Sequence, residues 1–444
     1  MGFEALELLV EENRLKDLRA ELSEENVADV AEFLTELSDE KLLTVFRILP
    51  KDMSADVFSY MSDDLRHKVI LGVSDKEARR IIDEMFIDDT VDFLEEAPAN
   101  VVKKVMANVG EIDRTLINTF LQYPDDSAGG IMTVEYIELD SALTVSAAIS
   151  VIRKTGIDKE TVYTCYVIDH SRKLIGVVAL KNLLVSEDSV LVEDIMEENV
   201  ISVNTLDDQE KVAEIISKYD FLSVPVVDAE NRLVGIVTVD DAIDVIKEES
   251  TEDIEIMAAL NPSERPYLKT GVFSLARNRI VWLFVLMISA TVTGAIMTYY
   301  EELLSSLIVL AAFIPMLTDT GGNAGSQTST LVIRGIALNE VRPRDILRIL
   351  SKELSVGALC GAGLGAVNFA RLTMFGTPVK VAAVVSLSIG AVVIIANLMG
   401  GILPIVAKKL RLDPALMASP LITTIVDAVA LVVYFSLASL ILKI

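Results

Sequence analysis

A single carboxylate inside an apolar segment is the residue of this sequence best placed to do chemistry. Asp427 lies in the run PLITTIVDAVALVVYF, and no basic residue occurs within ten positions on either side. A carboxylate in the middle of a membrane span costs several kcal/mol unless it faces water or a cation. Thr423 and Thr424 stand about one helical turn earlier and add hydroxyl oxygens. Contact with an ion is the favoured interpretation, and a protonated Asp427 hydrogen-bonded to a neighbouring helix is the alternative.

The chemistry available to Asp427 suits one cation in particular. Mg²⁺ gives up its water reluctantly, so a site of few carboxylates and many waters fits it. Two copies of Asp427 facing each other across a dimer axis would balance the charge of one such ion. The sequence therefore predicts a site for a hydrated divalent cation in this segment.

A second group of polar residues occurs in another apolar segment, in the run TDTGGNAGSQTST at 318–330. Its glycines permit close approach of the backbone, while Asn323 and Gln327 supply neutral oxygens and Asp319 a charged one. Polar groups at membrane depth persist where they are buried in protein or line a cavity. A pore-lining role is favoured over a small-residue packing face. A phosphate-binding loop is excluded because the Gly-Lys-Ser/Thr ending is missing.

Asn397, Gly400, Gly401 and Pro404 form a weaker group in a further apolar segment. They allow a helix to kink or to be approached closely. A packing role and a pore role are equally supported for them.

The elements that must position these residues follow from the distribution of charge. The chain has 66 acidic and 39 basic side chains. Residues 1–250 hold 54 and 24 of these, and the remainder holds 12 and 15. Long apolar runs begin only after about residue 278. The sequence therefore divides into an acidic soluble half and a membrane half. Such acidity argues against nucleic acid and anionic membrane surfaces as partners and fits cations, while solubility of the domain is the favoured explanation for most single carboxylates.

Residues 1–125 carry helix starts about twelve positions apart, at Ser38-Asp39, Pro50-Lys51, Ser62-Asp63, Ser74-Asp75 and Ile87-Asp88. Ser and Asp are good N-caps because their oxygens accept first-turn amides. Units this short cannot each enclose a core, so they predict a stacked helical solenoid.

Residues 126–250 contain an internal repeat. Tyr166-Val-Ile-Asp169 with Leu174-Ile-Gly176-Val-Val-Ala-Leu180 recurs 59 residues later as Pro225-Val-Val-Asp228 with Leu233-Val-Gly235-Ile-Val-Thr-Val239. Each copy predicts a strand, a turn, a second strand and a helix. The pattern resembles the tandem CBS domain, a pair that commonly binds regulatory ligands such as adenosine nucleotides.

The last part of the chain predicts five membrane spans. Basic residues cluster before the first span, between the second and third, and between the fourth and fifth. The positive-inside rule then places the N-terminus in the cytoplasm and the C-terminus outside. The predicted spans are 278–299, 303–335, 353–376, 379–407 and 415–442.

Taken over its whole length, the chain resembles the MgtE family of magnesium channels. The most specific matches are Gly321-Gly-Asn-Ala-Gly-Ser-Gln327 and Asp413-Pro-Ala, followed by Pro420, Thr424 and Asp427. The predicted fold is multidomain. It comprises an all-α superhelical N-domain at 1–125, an α/β tandem CBS pair at 126–247, a connecting plug helix at 248–277, broken at Pro262 and Pro266, and an α-helical membrane domain with five transmembrane helices at 278–444.

The resemblance implies a homodimer in the cytoplasmic membrane that conducts Mg²⁺ past Asp427 and is not an enzyme. It also implies that cytoplasmic Mg²⁺ bridges the acidic domains and closes the pore. Crowded carboxylates on facing surfaces repel until a divalent ion screens them, so ion binding should compact the acidic half. ATP at the CBS pair is a further expectation. The implied sensor carboxylates are Asp88, Asp92, Asp208, Glu210, Asp220, Asp241, Asp244, Glu249, Glu252, Asp253 and Asp413.

Two positions depart from the expected family pattern. Asp319 stands where a small neutral residue is expected, and Ser419 precedes Pro420. Both leave the preference among Mg²⁺, Co²⁺, Mn²⁺ and Ni²⁺ open. The favoured function is a gated Mg²⁺ channel. The alternatives are a coupled secondary transporter of Mg²⁺ or another divalent cation such as Co²⁺, and a sensor that conducts nothing.

Overall fold

The structure is a computed structural model that describes residues 3–263, 267–268, 270–302 and 308–443. The chain forms two compact units, Met1–Ile246 and Lys247–Ile444. Pro266 and the first residues of the predicted second span, 303–307, lie outside the described residues. Each unit has apolar clusters of its own.

The first unit opens with the short helices that the sequence predicts. The five predicted starts become helices beginning at Asp39, Lys51, Asp63, Asp75 and Ile87. A cap of the predicted kind is seen at Ser74, whose hydroxyl accepts from Glu77 N while the Glu77 carboxylate accepts from Ser74 N. Ser38 and Ser62 occupy the N-cap position, but their side chains do not make the capping hydrogen bond. The helices are α1 (Phe3–Glu11), α2 (Leu15–Leu22), α3 (Val27–Thr35), α4 (Asp39–Ile48), α5 (Lys51–Ser59), α6 (Asp63–Gly72), α7 (Asp75–Glu84), α8 (Ile87–Glu95), α9 (Ala99–Asn108) and α10 (Glu111–Phe120).

The rest of the first unit is the predicted repeat. Each copy has a three-stranded sheet in which the middle strand pairs in parallel with the first strand and antiparallel with the third. The elements are β1 (Ile137–Asp140), α11 (Val145–Thr155), β2 (Thr164–Ile168), β3 (Leu174–Ala179), α12 (Leu180–Val185), α13 (Val192–Ile195), β4 (Val203–Asn204), α14 (Gln209–Tyr219), β5 (Ser223–Val227), β6 (Leu233–Thr238) and α15 (Val239–Met257).

The two copies join through reciprocal backbone bonds. Leu174 N donates to Asn231 O at 3.1 Å, and its counterpart Leu233 N donates to Arg172 O at 3.0 Å. Both pairs are related by the 59-residue offset of the repeat, so the junction itself is pseudo-symmetric. One apolar cluster includes Phe93 of α8 and Val224 of β5, so the helices and the second copy share a core.

The second unit contains long apolar helices. They are α16 (Val272–Tyr299), α17 (Ile314–Ala337), α18 (Ile346–Met374), α19 (Val379–Lys409) and α20 (Ser419–Leu442). In the described part of the chain, four segments are long and apolar enough to cross a membrane: Val272–Tyr299, Pro343–Met374, Val379–Lys409 and Pro414–Leu442. Helix α17 is not among them, because the run at 318–330 makes its middle polar. A count of five spans therefore stays a prediction.

The connector differs from the expectation of one largely helical segment. Helix α15 ends at Met257, and residues 258–263 are not helical, as expected at Pro262. The first long apolar helix begins at Val272, six residues before the predicted span. Helix α19 packs against α17, α18 and α20, which places it at the centre of the second unit.

Candidate metal sites

The polar run of α17 divides between two faces of the helix. Gly321, Gly322 and Gly325 are buried, whereas Asp319, Asn323 and Gln327 are exposed on the chain. Residues four positions apart lie on one face of an α-helix, about 6 Å apart along its axis. The three polar side chains therefore form a stripe, which we call the α17 stripe. The buried face fits the packing interpretation, and the pore-lining interpretation stays a prediction for the exposed face.

The buried glycines bring α17 against its neighbours. A Cβ on Gly322 would lie 2.9 Å from Thr423 Cγ2 of α20, and one on Gly321 would lie 3.0 Å from Val426 Cγ1. A Cβ on Gly400 of α19 would collide with the carbonyl oxygen of Gly325. Because Gly400 faces Gly325 in this way, the packing interpretation is the one that the structure supports for the group in α19.

Asp427 is half-buried on α20, on the same face as Thr423 one turn earlier. The hydroxyls of Thr423 and Thr424 donate to the carbonyl oxygen of Pro420 at 3.0 and 2.9 Å, so their oxygens keep lone pairs for another partner. Among the described side chains Asp427 has no hydrogen bond or ion pair. The alternative of a bond from Asp427 to a neighbouring helix is therefore not seen in that part of the chain.

The register between α17 and α20 sets the position of each polar group along the helix axes, which we call its height. The helices run antiparallel, because contacts at decreasing residue numbers on α17 pair with increasing residue numbers on α20. Continuing this register places Asp427 beside Asp319 and Thr423 beside Asn323. The carboxylates of Asp427 and Asp319 are close enough for their charges to interact. The contacts that define the register pair Ser329 with Met417, Gly325 with Ile422 and Val426, Gly322 with Thr423 and Gly321 with Val426.

Glu353, which the sequence alone does not single out, contacts the polar run of α17 on the buried face of that helix. Glu353 of α18 accepts a hydrogen bond from Thr328 Oγ1 at 3.1 Å. Thr328 is buried, on the packing face rather than on the α17 stripe. Glu353 therefore ties α17 to α18, and only the three-dimensional arrangement could have revealed it.

Two predicted sensor residues meet within the second unit. Asp253 of α15 lies near Asp413, which caps the short turn before α20 by accepting from Ala415 N at 2.8 Å. Partial burial, then Asp413 and Glu249, raise the pKa of Asp253. Glu252 is exposed on the same helix. The structure thus brings together Glu249, Asp253 and Asp413, which we call the α15 acidic cluster.

A larger acidic cluster lies inside the first unit. Asp88 and Asp92 of α8 face Asp241 at the start of α15. Burial, followed by Asp241 and Asp89, raises the pKa of Asp88 well above its usual value. Burial, then Glu95, Asp89 and Asp241, raise the pKa of Asp92 to about 7. Burial raises the pKa of Asp241 to about 6, although Thr238 donates a hydrogen bond to this carboxylate.

Four further carboxylates belong to this group and were missed. Burial raises the pKa of Glu160 to about 7, with Asp240, Asp241 and Asp89 adding to the effect. Burial and Asp125 raise the pKa of Glu95 to about 7. Sequence spacing offered a signal for the residues on α8, because positions 88, 92 and 95 share a helical face. It offered none for Glu160, which reaches the group through tertiary folding. We call Asp88, Asp89, Asp92, Glu95, Glu160, Asp240 and Asp241 the α8 acidic cluster.

The remaining predicted sensor residues are not gathered into one place. Asp208 caps the start of α14 by accepting from Glu210 N at 2.9 Å. Asp220 lies at the other end of that helix in a left-handed conformation, φ 54°. An eleven-residue helix is roughly 16 Å long, so the two ends cannot share one ion. Asp244 is exposed, about one turn after Asp241.

The side chains of these clusters are not already arranged to coordinate a metal ion directly. Over the ranges that the structure describes, no three His, Cys, Asp or Glu side chains are arranged so that they could hold a metal ion directly. The clusters instead place like charges at closely facing positions.

An acidic module followed by a bundle of apolar helices with a polar stripe defines a membrane protein of the cation-transporter class. Family profiles match at three places: MgtE, a divalent cation transporter, at residues 314–437; the MgtE intracellular N domain at 25–126; and the CBS domain at 192–248. The first of these ranges contains the α17 stripe and Asp427.

Full-length relatives settle the family. The chain is 35% identical over 443 residues to the magnesium transporter MgtE of Thermus thermophilus, covering 99% of this chain and 98% of the relative. It is 31% identical to the magnesium transporter MgtE of Bacillus subtilis, with 97% and 95% covered. The chain belongs to the MgtE family.

A solved structure agrees with this assignment. The crystal structure of the cytosolic domain of the Mg²⁺ channel MgtE in complex with ATP is 34% identical, with a TM-score of 0.53, and covers 55% of this chain and 100% of that one. A second one, the soluble part of a magnesium transporter, has 32% identity and the same TM-score, with 56% and 98% covered.

Proposed function

We propose that this protein is a Mg²⁺-selective channel of the cytoplasmic membrane that cytoplasmic Mg²⁺ closes. The relatives named above are magnesium transporters or a Mg²⁺ channel. The observation that carries the proposal is the alignment of Asp427 and Thr423 on α20 with Asp319 and Asn323 on α17. Two helices thereby present carboxylate, amide and hydroxyl oxygens at successive heights.

A hydrated Mg²⁺ is the ion that this arrangement serves best. The carboxylates of Asp427 and Asp319 at one level, followed by the neutral oxygens of Thr423 and Asn323 at the next, would attract the ion without stripping its water. Weak, repeated sites of this kind let an ion enter and leave. Gln327 would extend the same path by one further turn of α17.

A homodimer would complete the path. The α17 stripe is exposed on a single chain, and polar side chains at membrane depth must face protein or water. A second copy placed against the stripe would enclose it and bring two Asp427 carboxylates to one ion. The same proposal includes five spans, with α17 as the shielded second one, the N-terminus in the cytoplasm and the C-terminus outside.

Closure by Mg²⁺ is proposed to act at the acidic clusters. Without a cation, the α8 acidic cluster holds like charges together in a buried place, which is unfavourable. An ion between α8 and the start of α15 would favour their close approach. An ion at the α15 acidic cluster would hold α15 against the turn that leads into α20. Asp208, Glu210, Asp220 and Asp244 are proposed to act on the outer surface of the CBS pair.

ATP is proposed as a ligand of the CBS pair. Its support is the relative whose cytosolic domain was crystallised with ATP, and the pseudo-symmetric pair seen here. The protein has no proposed enzymatic activity.

Flux of divalent cations into liposomes tests the proposal. Asp427→Asn is expected to abolish selective Mg²⁺ flux, because it removes the charge that offsets desolvation of the ion. Glu340→Gln, which removes an exposed carboxylate outside the stripe, is the matched control. Equal flux in both variants would reject the pore. Uptake that collapses with the proton gradient at fixed voltage would instead support the coupled transporter.

A further inference from the structure

A pocket lined mainly by bases interrupts the acidic first unit. It lies among α2, α4, α5 and α7 and has a volume of about 130 Å³. Arg19, Arg47, Lys51 and Arg80 line it, together with one acid, Glu77. Residues 1–250 carry more than twice as many acids as bases, so four bases around one acid are contrary to the surroundings.

The bases of this pocket lack the counter-charges that other bases of the helical region have. Arg14, Lys68 and Arg79 each lie within 4.0 Å of a carboxylate. Among the side chains that the structure describes, none of the four pocket bases forms such a pair. The Nε atom of Arg80 is buried and has no hydrogen-bond partner in that same part of the chain.

The one acid in the pocket is already engaged. Glu77 Oε2 accepts from both Ser74 N and Ser74 Oγ at 2.8 Å, in the capping box of α7. The charges of Arg47 and Arg80 act on Glu77 and, after the bonds from Ser74, help to lower its pKa. Among the side chains that line the pocket, one carboxylate therefore faces four bases, which leaves a net charge of three positive units.

The backbone adds to the positive potential. Lys51 is the first residue of α5, and its N-cap, Pro50, has no side chain that could accept from the first-turn amides. A nine-residue helix presents a partial positive charge at this end. The floor of the pocket is apolar, formed in part by Phe46 and Leu49, and a low-polarity floor strengthens attraction between charges.

We infer that this pocket is a binding site for a phosphate group. Guanidinium groups bind tetrahedral oxyanions through paired, charge-assisted hydrogen bonds. The volume corresponds to about four water molecules, which accommodates one phosphate group but is well below the size of a typical pocket for a whole nucleotide. The ligand is therefore free phosphate or the exposed phosphate of a larger molecule, such as a lipid headgroup.

The test is phosphate binding to the full-length protein in uncharged detergent, in Tris-chloride without magnesium, followed by phosphorus NMR. One saturable site per chain is expected, weakening as chloride is raised. Arg19→Gln/Lys51→Gln should weaken binding about tenfold or more, because the loss of even one charge-assisted bond contributes that factor. Lys51→Arg, which keeps the charge, should retain binding.

Lys16→Gln/Lys41→Gln is the matched control, since it removes two exposed bases from α2 and α4 outside the pocket. Equal weakening by this control, or no saturable binding to the wild type, would overturn the site. A parallel titration in nanodiscs with and without phosphatidic acid separates the two sources. If hydrogen exchange of α5 and α7 slows only with phosphatidic acid, the headgroup is the ligand. If hydrogen exchange of these helices slows with free phosphate in uncharged nanodiscs, free phosphate is the ligand.

Discussion

Asp427 on α20 lies level with Asp319 on α17, near enough for the two carboxylates to interact. Two acids at one height of a low-polarity bundle are unfavourable unless a cation screens them. Asp319 occupies the position at which the sequence departs from the expected pattern. The register therefore brings Asp319 into the ion site proposed at Asp427.

Asp319→Asn is therefore expected to keep Mg²⁺ flux but to raise the Mg²⁺ concentration for half-maximal flux about tenfold, which corresponds to roughly 1.4 kcal/mol of lost attraction. Competition by Na⁺ should increase, since one charge favours divalent ions less than two. Flux assays in liposomes with mixed cations measure both effects. A variant indistinguishable from wild type would show that Asp319 does not face the ion.

Close packing of α17 on α20 depends on Gly322. Gly322→Ala would place a Cβ 2.9 Å from Thr423 Cγ2, which forces the helices apart. Overpacking of this kind costs about 1–3 kcal/mol, so the melting temperature and the flux should both fall. The matched control is Gly363→Ala on α18, where a Cβ meets nothing within 4 Å. If both variants have the same melting temperature, the close approach of α17 and α20 does not require glycine at position 322.

Much of the architecture could be predicted because it depends on local patterns. Helix starts at Asp39, Asp63 and Asp75 follow from Ser-Asp pairs, and the sheets follow from the 59-residue repeat. The polar run at 318–330 was recognised, but its division into two faces required the helix to be placed against α19 and α20. Its polarity also explains why α17, the predicted second span, is not apolar enough to count as a membrane span by composition.

The acidic clusters show where sequence reasoning ends. Asp88 and Asp92 share a helical face, so their proximity is local. Their approach to Asp241 and Glu160 is set by tertiary packing, which spacing along the chain does not encode. The expected sensor residues also occupy more than one place, because Asp208 and Asp220 lie at opposite ends of α14.

The α8 acidic cluster should make the first unit sensitive to pH. The pKa values of Asp92, Glu160 and Asp241 lie at about 7, 7 and 6, above those of an unfolded chain. The protonated forms therefore favour folding. Their contribution is complete below about pH 4 and is lost progressively as pH rises from there to the folded-state pKa values of 6 to 7, by up to about 1.4 kcal/mol per pH unit for each group.

Thermal unfolding of a fragment containing residues 1–246, followed by circular dichroism without Mg²⁺, is expected to show a melting temperature that falls from pH 5 to pH 8. Added Mg²⁺ should stabilise the fragment more at pH 8 than at pH 5, because the ion binds only ionised carboxylates. Asp92→Asn/Glu160→Gln should flatten the pH dependence, whereas the exposed Glu193→Gln should not. A melting temperature that rises from pH 5 to pH 8 would contradict the raised pKa values of these carboxyl groups.

The α15 acidic cluster gives a prediction for gating. Asp253→Asn and Asp413→Asn each remove one of two facing charges, and asparagine at 413 keeps a good cap for the turn before α20. Each variant should need several-fold more internal Mg²⁺ for half-closure. The double variant should be little worse than either one, because a shared ion is already lost with the first change.

Patch-clamp recording from excised membrane patches, with Mg²⁺ varied on the cytoplasmic side, measures half-closure directly. Glu248→Gln, on the same helix, controls for the loss of one acidic charge, and it should close as the wild type does. Fully additive shifts in the double variant would mean that Asp253 and Asp413 bind separate ions. Unchanged half-closure in all variants would remove this cluster from the gating mechanism, while conduction past Asp427 would stand.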